Sequence, residues 1–314
     1  MTVDVLKIDK LAAMSLKLLE REIVLPNLVT VSSGAEFVGA LDDTVTIRVP
    51  ARTTAKKRDL RPATENARTI QLSNLTEQAI TVTLDEDIYN AVGIEDEIAT
   101  LDLVDFATQV LQPQVRAVAL GWEDKIAAEI TGATYVHEVE YDETKPYNTL
   151  IRARRLLQDS GVPKDGLKLV VGAGIEESLL TSDQLIKYDS SGDANALRTN
   201  TLGKIAGLEA VSSLAIPAGE AYLFHKSAFA MAWRAPVVPK GAVFGRSVAL
   251  PGSNGVSLTW IHDYDFLQSR DRSLVHVYTG TNHTVDKPDA EAELDIVKAG
   301  GFLRAVKITG DGIS

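Results

Sequence analysis

The spacing of apolar positions changes several times along this chain, and each change predicts an element. In residues 1–20, Leu6, Leu11, Met14 and Leu18 fall at helix-like intervals. This N-terminal segment is either docked on the chain's own core or an arm reaching a neighbour. Over residues 44–49 (TVTIRV) and again over 79–84 (AITVTL) apolar and polar residues alternate, which predicts two half-buried strands. Residues 51–78 between them are almost wholly polar. A connection this long and this polar cannot bury a core of its own. It is either disordered or a projecting hairpin that gains order on another surface, and the two strands at its base favour the hairpin.

Helical spacing then returns and persists. Leu101, Val104, Leu111, Val115, Val118, Trp122, Ile126 and Ile130 share one face, Asp96 or Asp102 is the candidate cap, and Thr131-Gly132 is the stop. A helix of roughly 30 to 35 residues would span about 45–50 Å, against a mean of about 11–12 residues in globular proteins. Pro113 lies inside it, so the helix is either kinked there or divided into two joined at Gln112-Pro113. Residues 146–250 have an α/β pattern: a helix over 148–160, a buried strand over 167–171, a helix over 175–180, a polar loop over 188–200, and strands over 209–212 and 221–224. Alternation resumes over 256–266 and 273–280. An acidic stretch, 286–295, precedes Gly300-Gly301 and a last strand over 302–308.

At 314 residues the chain exceeds the usual size of a single core, so two compact units with projecting elements are expected. Lys and Arg number 32 against 43 Asp and Glu, a net charge of −11. That balance argues against sequence-specific nucleic-acid binding, which needs clustered cations. If the partner is packaged DNA, such a wall would repel rather than grip it, which would suit a container. The polar segment 51–78 runs the other way: Arg52, Lys56, Lys57, Arg58, Arg61 and Arg68 stand against Asp59, Glu65 and Glu77. A basic finger on an acidic protein finds complementary charge on a sister subunit. The absence of cysteine excludes disulfides, thiolate zinc sites and cysteine nucleophiles, and fits a reducing compartment. With neither a basic, apolar leader nor an apolar run near the roughly 18 residues of a membrane span, a soluble protein used without export is expected.

Catalytic motifs fail on inspection. Gly172-Ala-Gly174 follows a strand and opens a helix, but Glu177 replaces the third glycine of a dinucleotide fingerprint and would oppose pyrophosphate. His137-Glu138 is followed by Tyr141 where a zinc-protease helix needs its second histidine. Within His262-Asp263-Tyr264-Asp265, strand neighbours point to opposite faces and do not converge on a metal. The acidic groups Asp85-Glu86-Asp87 and Glu95-Asp96-Glu97 lack calcium-loop spacing and are expected as solvated faces or partners for the basic segment. No catalytic, cofactor-binding or metal-ligating residue is assigned.

The ordered series of phrases resembles one family. NLVTVSSGAEFVGALDDTVTIRVP (27–50), EQAITVTLDEDIYNAVGIEDEIATLDLVDFATQVLQPQVRAVALGWEDKIAAEI (77–130), LKLVVGAGIEESLL (167–180) and LGKIAGLEAVSSLAIPAGEAYLFHKSAFAMA (202–232) are similar to the major capsid proteins of tailed bacteriophages, in particular the actinobacterial-phage coat proteins. The resemblance covers most of residues 20–280. It implies an α+β fold: an N-terminal arm (1–40), an extended β-hairpin loop (41–86), a peripheral domain with a long spine helix (87–145), an axial domain (146–255), and peripheral return strands with the C-terminus (256–314). It also implies that Arg52, Lys56, Lys57, Arg58, Asp59, Arg61 and Arg68 make intersubunit contacts, while Leu101, Val104, Leu111, Val115, Val118, Trp122 and Ile126 pack the spine helix. The implied partners are copies of the chain in hexamers and pentamers, a scaffolding protein, a portal, decoration proteins, and double-stranded DNA held by weak non-specific contact. The implied location is the virion, with assembly in the host cytoplasm and no membrane.

Two departures stand out. The stretch before residue 20 is too short for the scaffolding segment that some relatives carry, which points to a separate scaffold or a processed relative. Some relatives cross-link a loop lysine to an asparagine. Lys56 or Lys57 and Asn282 are the conceivable pair here, with ordinary salt bridging as the default. Two other functions stay open: an encapsulin-like nanocompartment shell with a protein cargo, and a soluble α/β enzyme, which would need a pocket of converging titratable groups.

Overall fold

The computed structural model describes residues 25–32, 44–49, 55–58, 60, 70, 72, 78–95, 106–182, 204–242, 244–249, 257–288 and 294–310. The N-terminal segment 1–20, the polar loop 188–200 and the expected helix caps at Asp96 and Asp102 lie outside these residues. Two six-stranded sheets and one hairpin hold the described strands. The first sheet contains β1 (Thr30–Ser32), β4 (Glu86–Glu95), β10 (Phe229–Arg234), β11 (Phe244–Ala249), β12 (Ser257–Asp265) and β13 (Arg270–His283), with β13 pairing to β4, β10 and β12. The second runs in the order β5 (His137–Glu140), β14 (Ala305–Thr309), β9 (Glu220–His225), β6 (Leu167–Val171), β8 (Leu208–Ser212), β7 (Lys204–Ile205). Strands β2 (Thr44–Val49) and β3 (Gln78–Thr83) form the hairpin, as the alternation predicts.

Sheet membership departs from the boundaries drawn from the sequence. β10 and β11, expected in the axial unit 146–255, join the first sheet. β5, placed in 87–145, and β14, placed in 256–314, join the second. The chain therefore crosses between the sheets near residues 133–136, 226–228 and 284–304. Local periodicity reports which face of a strand is buried, but not which distant strand it will pair with.

The long helix is not divided at Pro113: a π-helical turn, Ala107–Leu111, leads directly into α1 (Gln112–Gly132). Proline lacks an N–H and its ring clashes with the carbonyl four residues back. The wider π turn lies at that point and absorbs the misfit. Leu111, Val115, Val118, Trp122, Ile126 and Ile130 are buried, while Leu101 and Val104 lie outside the described residues. Gln114, also buried, sets the helix register: its Nε2 donates to the carbonyls of Asn90 (3.1 Å) and Ser273 (2.8 Å), and its Oε1 accepts from Ser273 Oγ (2.7 Å). Ser273 Oγ in turn accepts from Trp260 Nε1 (3.0 Å). Satisfied on these atoms, the buried network ties α1 to β4, β12 and β13.

The second sheet is covered on one face by α2 (Pro146–Asp159) and α3 (Ala173–Thr181), through Leu150, Ala153, Leu157, Ile175 and Leu179. Its other face, with Val170, Tyr222, Phe224 and Ala305, shares a core with α1 and the first sheet. Where the chain crosses between sheets, polar groups hold the strands together. Arg304 donates to Asp286 through Nε and Nη2 (2.6 Å at the shortest) and to Ser227 Oγ through Nη1 (2.8 Å). Thr284 donates to the carbonyls of Ser227 and Ala228. His225 Nδ1 accepts from the Ser227 amide (3.2 Å) and so caps the 3-10 turn Lys226–Ala228.

That cap requires a neutral imidazole. Burial, and after it the Arg304 guanidinium, hold His225 below its usual range against the opposing pull of the Asp165 backbone. Burial does the same for His137, against the pull of Asp159. Both bind a proton more readily in the unfolded chain, so their contribution is complete above the ordinary histidine value of 6.5 and declines as pH falls through it. The thermal midpoint of the purified subunit should therefore drop between about pH 7.5 and about pH 5.5. His225→Asn keeps a capping acceptor that takes no proton and should show a shallower drop, with His137 supplying the remainder. Equal pH slopes for the two proteins would contradict this account.

Candidate assembly surface

The described part of the hairpin is anchored at its base. Val45, Ile80 and Val82 pack on Ala230 and Ala232 of β10. Along β10 large residues alternate with small ones: Phe229, Met231 and Trp233 enter the core beneath α1, while Ala230 and Ala232 face the hairpin. Gly280 of β13 lies beside Ala232, and a Cβ there would overlap the carbonyl of Thr83. Asn282 Nδ2 donates to the carbonyl of Thr81 (2.6 Å). The small side chains at 230, 232 and 280 let β3 lie close against the sheet. The visible signal was the large-small alternation in FAMAW, which had no partner segment to explain it.

The described residues beyond this base are exposed: residues 55–58 throughout, and Leu60, Ile70 and Leu72 at 99%, 70% and 86%. Lys56 Nζ donates to the carbonyl of Leu72 (3.2 Å), linking the two arms of the segment. Lys57 and Arg58 share that exposed stretch, while Arg52, Asp59, Arg61 and Arg68 lie outside the described residues. Asn282, the conceivable cross-link partner of Lys56 or Lys57, is engaged at the hairpin base.

The acidic group at the start of β4 has an unexpected partner. Asp85 and Glu86 bind Lys125 of α1 at 2.9 and 3.0 Å, and Asp87 faces His276 Nδ1 at 3.4 Å. Burial works against the charge of Lys125, yet its two carboxylate partners hold it above its usual range. Asp85 and Glu86 are exposed, as expected of a solvated face, and Lys125 is a partner the sequence did not indicate. The side chains of helix α1, far away in sequence, supply the countercharge.

The residues tested for chemistry resolve in the same way. The carbonyl of Ala218 accepts from the amides of Gly174 and Ile175, so the start of α3 is occupied by the chain's own backbone. Gly172 allows this approach, since a Cβ there would overlap the carbonyl of Pro217. His137 is buried in a strand, with Nε2 2.7 Å from Ser160 Oγ, while Glu138 points outward. His262 packs edge-on to Phe106, whereas Asp263 binds Arg272 at 2.7 Å on the opposite face. Among the described residues no group of three or more histidines and carboxylates could hold a metal ion.

Neither a protein-family model nor a curated protein matches the chain. Solved structures do. A structure from Mycobacterium phage Che8 is similar with a TM-score of 0.60 and 18% identity, over 91% of this chain and 90% of that one. The capsid of cyanophage P-SCSP1u is similar with a TM-score of 0.61 and 11% identity, over 92% and 88%. A virus-like particle from Pyrococcus furiosus is similar with a TM-score of 0.52 and 10% identity, over 96% and 98%. The chain thus has the shell-forming fold seen in these particles, an α+β architecture. Within that class it has the fold of a tailed-phage capsid subunit.

The hairpin anchor yields a specific expectation. Gly280→Ala should push β3 away from β10 while leaving the α1 core intact. Amide hydrogen exchange would then accelerate in residues 78–84 and stay unchanged in α1. Unchanged protection across β3 would show that the small floor is not what seats the hairpin.

Proposed function

We propose that this chain is the major capsid protein of a tailed bacteriophage, a structural subunit that assembles into the hexamers and pentamers of an icosahedral head around double-stranded DNA. The observation that carries the reading is a phage-capsid likeness spanning nine-tenths of this chain and of its structural neighbours alike. An exposed basic hairpin with apolar side chains in solvent supports it, because such an element gains stability only against another surface. Rotationally related copies close rings through heterologous contacts of this kind.

In this reading residues 41–86 cross an adjacent copy, and Arg52, Lys56, Lys57, Arg58, Asp59, Arg61 and Arg68 make the contacts. The π turn and α1 form the spine helix, packed by Leu111, Val115, Val118, Trp122 and Ile126, with Leu101 and Val104 continuing the stripe. A peripheral unit corresponds to the first sheet and an axial unit to the second. A scaffolding protein, a portal and decoration proteins are further partners. DNA contacts are weak and non-specific given the net charge of −11. The protein is a virion component assembled in the host cytoplasm, has no catalytic role, and needs no cofactor. An encapsulin-like shell is the second reading, favoured by the likeness to the Pyrococcus particle, although its TM-score is below those of the phage structures.

Negative-stain electron microscopy of the expressed protein, alone and with its neighbouring genes, tests the proposal. Closed angular shells or rings of six support it, and the presence of a protein cargo instead of DNA would select the encapsulin reading. Discrete monomers under every condition would refute both. Replacing Lys56, Lys57, Arg58 and Arg61 by Ser should reduce the yield of shells while leaving subunit melting unchanged. High salt should reproduce part of that loss in the unaltered chain by screening the same charges.

A further inference from the structure

We propose that the junction between the two sheets is a proton-operated hinge, in which His225 unlocks the crossing from the second sheet to the first while His283 keeps α1 clamped to the first sheet. Two of the five histidines flank this junction. His225 ends β9 and leads into the crossing at 226–228, and His283 ends β13 and leads into the crossing that begins at Thr284. The two crossings are tied together at Ser227. Thr284 donates to its carbonyl and to that of Ala228, and Arg304 spans Asp286 and the Ser227 hydroxyl. The hinge is a property of the single subunit and does not depend on the shell reading.

The two imidazoles face opposite charges. His225 Nδ1 accepts from the Ser227 amide (3.2 Å) and lies 2.8 Å from Ser227 Oγ, which also accepts from Arg304 Nη1. The charged side chain acting on this ring is the Arg304 guanidinium, itself bound to Asp286; the Asp165 backbone and Gly166 lie at the other ring edge, and Lys226 beside it is exposed. A proton on Nδ1 would set two N–H groups against each other and place a second cation next to Arg304. His283 Nδ1 instead meets Glu129 Oε1 of α1 at 2.7 Å, and Glu129 Oε2 accepts from Thr281 Oγ1 (3.3 Å). The His283 ring stands edge-on to Phe302 (5.1 Å). A proton here turns a hydrogen bond into an ion pair, and charge-assisted bonds are roughly twice as strong as neutral ones.

Falling pH therefore acts in opposite senses on the two sides of the junction. The His225 cap, intact above the ordinary histidine value of 6.5, opens below it, because burial and then Arg304 oppose its proton in the folded chain. The bond between His283 and Glu129 tightens as His283 gains a proton. Opening the cap disturbs Ser227, the residue on which both Arg304 and Thr284 are anchored. The aromatic core between the sheets is held by non-directional burial, so it lets the second sheet shift once the directional bonds at 226–228 are released. The first sheet and α1 stay together.

Amide hydrogen exchange of the full chain tests the hinge, measured at about pH 7.5 and about pH 5.5 and expressed as protection factors, which removes the intrinsic pH dependence. Protection over 225–228 and 284–286 should fall several-fold at the lower pH, while that over 126–131 of α1 is kept or rises. His225→Asn, whose side-chain oxygen caps without taking a proton, should abolish the fall. His283→Gln should lower protection over 126–131 at the lower pH and leave the change at 225–228 in place. If His225→Asn does not fold, histidine resonances of the unaltered chain decide: the His225 ring must take up its proton over the pH range in which protection at 225–228 is lost. Equal protection of 225–228 at both pH values, a uniform loss across both sheets, a fall that persists in His225→Asn, or a His225 titration outside that range each overturns the hinge.

Discussion

The fold depends on the stacking of Trp122 against Trp233. One indole comes from the middle of α1, the other from β10, and their rings lie parallel (7°) with centroids 5.3 Å apart. Both are essentially inaccessible to solvent. Trp122 Nε1 has no hydrogen-bond partner. An unpaired buried N–H costs about 1–3 kcal/mol, whereas truncating a buried tryptophan typically costs about 3–5 kcal/mol. Packing therefore outweighs the unmade bond, and the helix is held where the indoles meet. From there the aromatic core continues through Phe229, Phe302, Tyr135 and Tyr222 into the second sheet. Each sheet buries a face on this common core.

Because the core is filled by α1 and the two sheets, little apolar surface remains for the hairpin. Its base finds a narrow seat over two alanines and a glycine, and the described residues beyond it are exposed. Ordering an extended segment costs conformational entropy on the order of 1–2 kcal/mol per residue, which contacts must offset. The described residues between 55 and 72 are exposed in the single subunit. The economy makes sense for a protein whose stable form is an assembly, where a neighbour supplies the missing surface.

The polar crossings between sheets complement this packing. Arg304 is buried, yet Asp286 and Ser227 satisfy it, and removing one partner of such a pair strands the other charge. The junction is thus specified by directional bonds, while the non-directional aromatic core beside it supplies most of the burial energy.

Several elements were legible from residue pattern alone. The alternation in 44–49 and 79–84 marked two strands that do pair, and the 167–171 run marked β6. The stripe from Leu111 to Ile130 marked the buried face of α1, and the polar, cation-rich run 51–78 marked a segment whose described residues from 55 to 72 are exposed. These features are local, because a side chain's period along the backbone decides which face meets water. Only the tertiary structure decided the rest: that Pro113 is carried by a π turn, that acid-flanked residues 86–95 form a strand paired along β13, that Lys125 answers Asp85 and Glu86, and which of two sheets β5, β10, β11 and β14 would join. Each of those outcomes depends on a partner far away in sequence, and pairing across such distances is settled by register and packing in the assembled core, which no local period encodes.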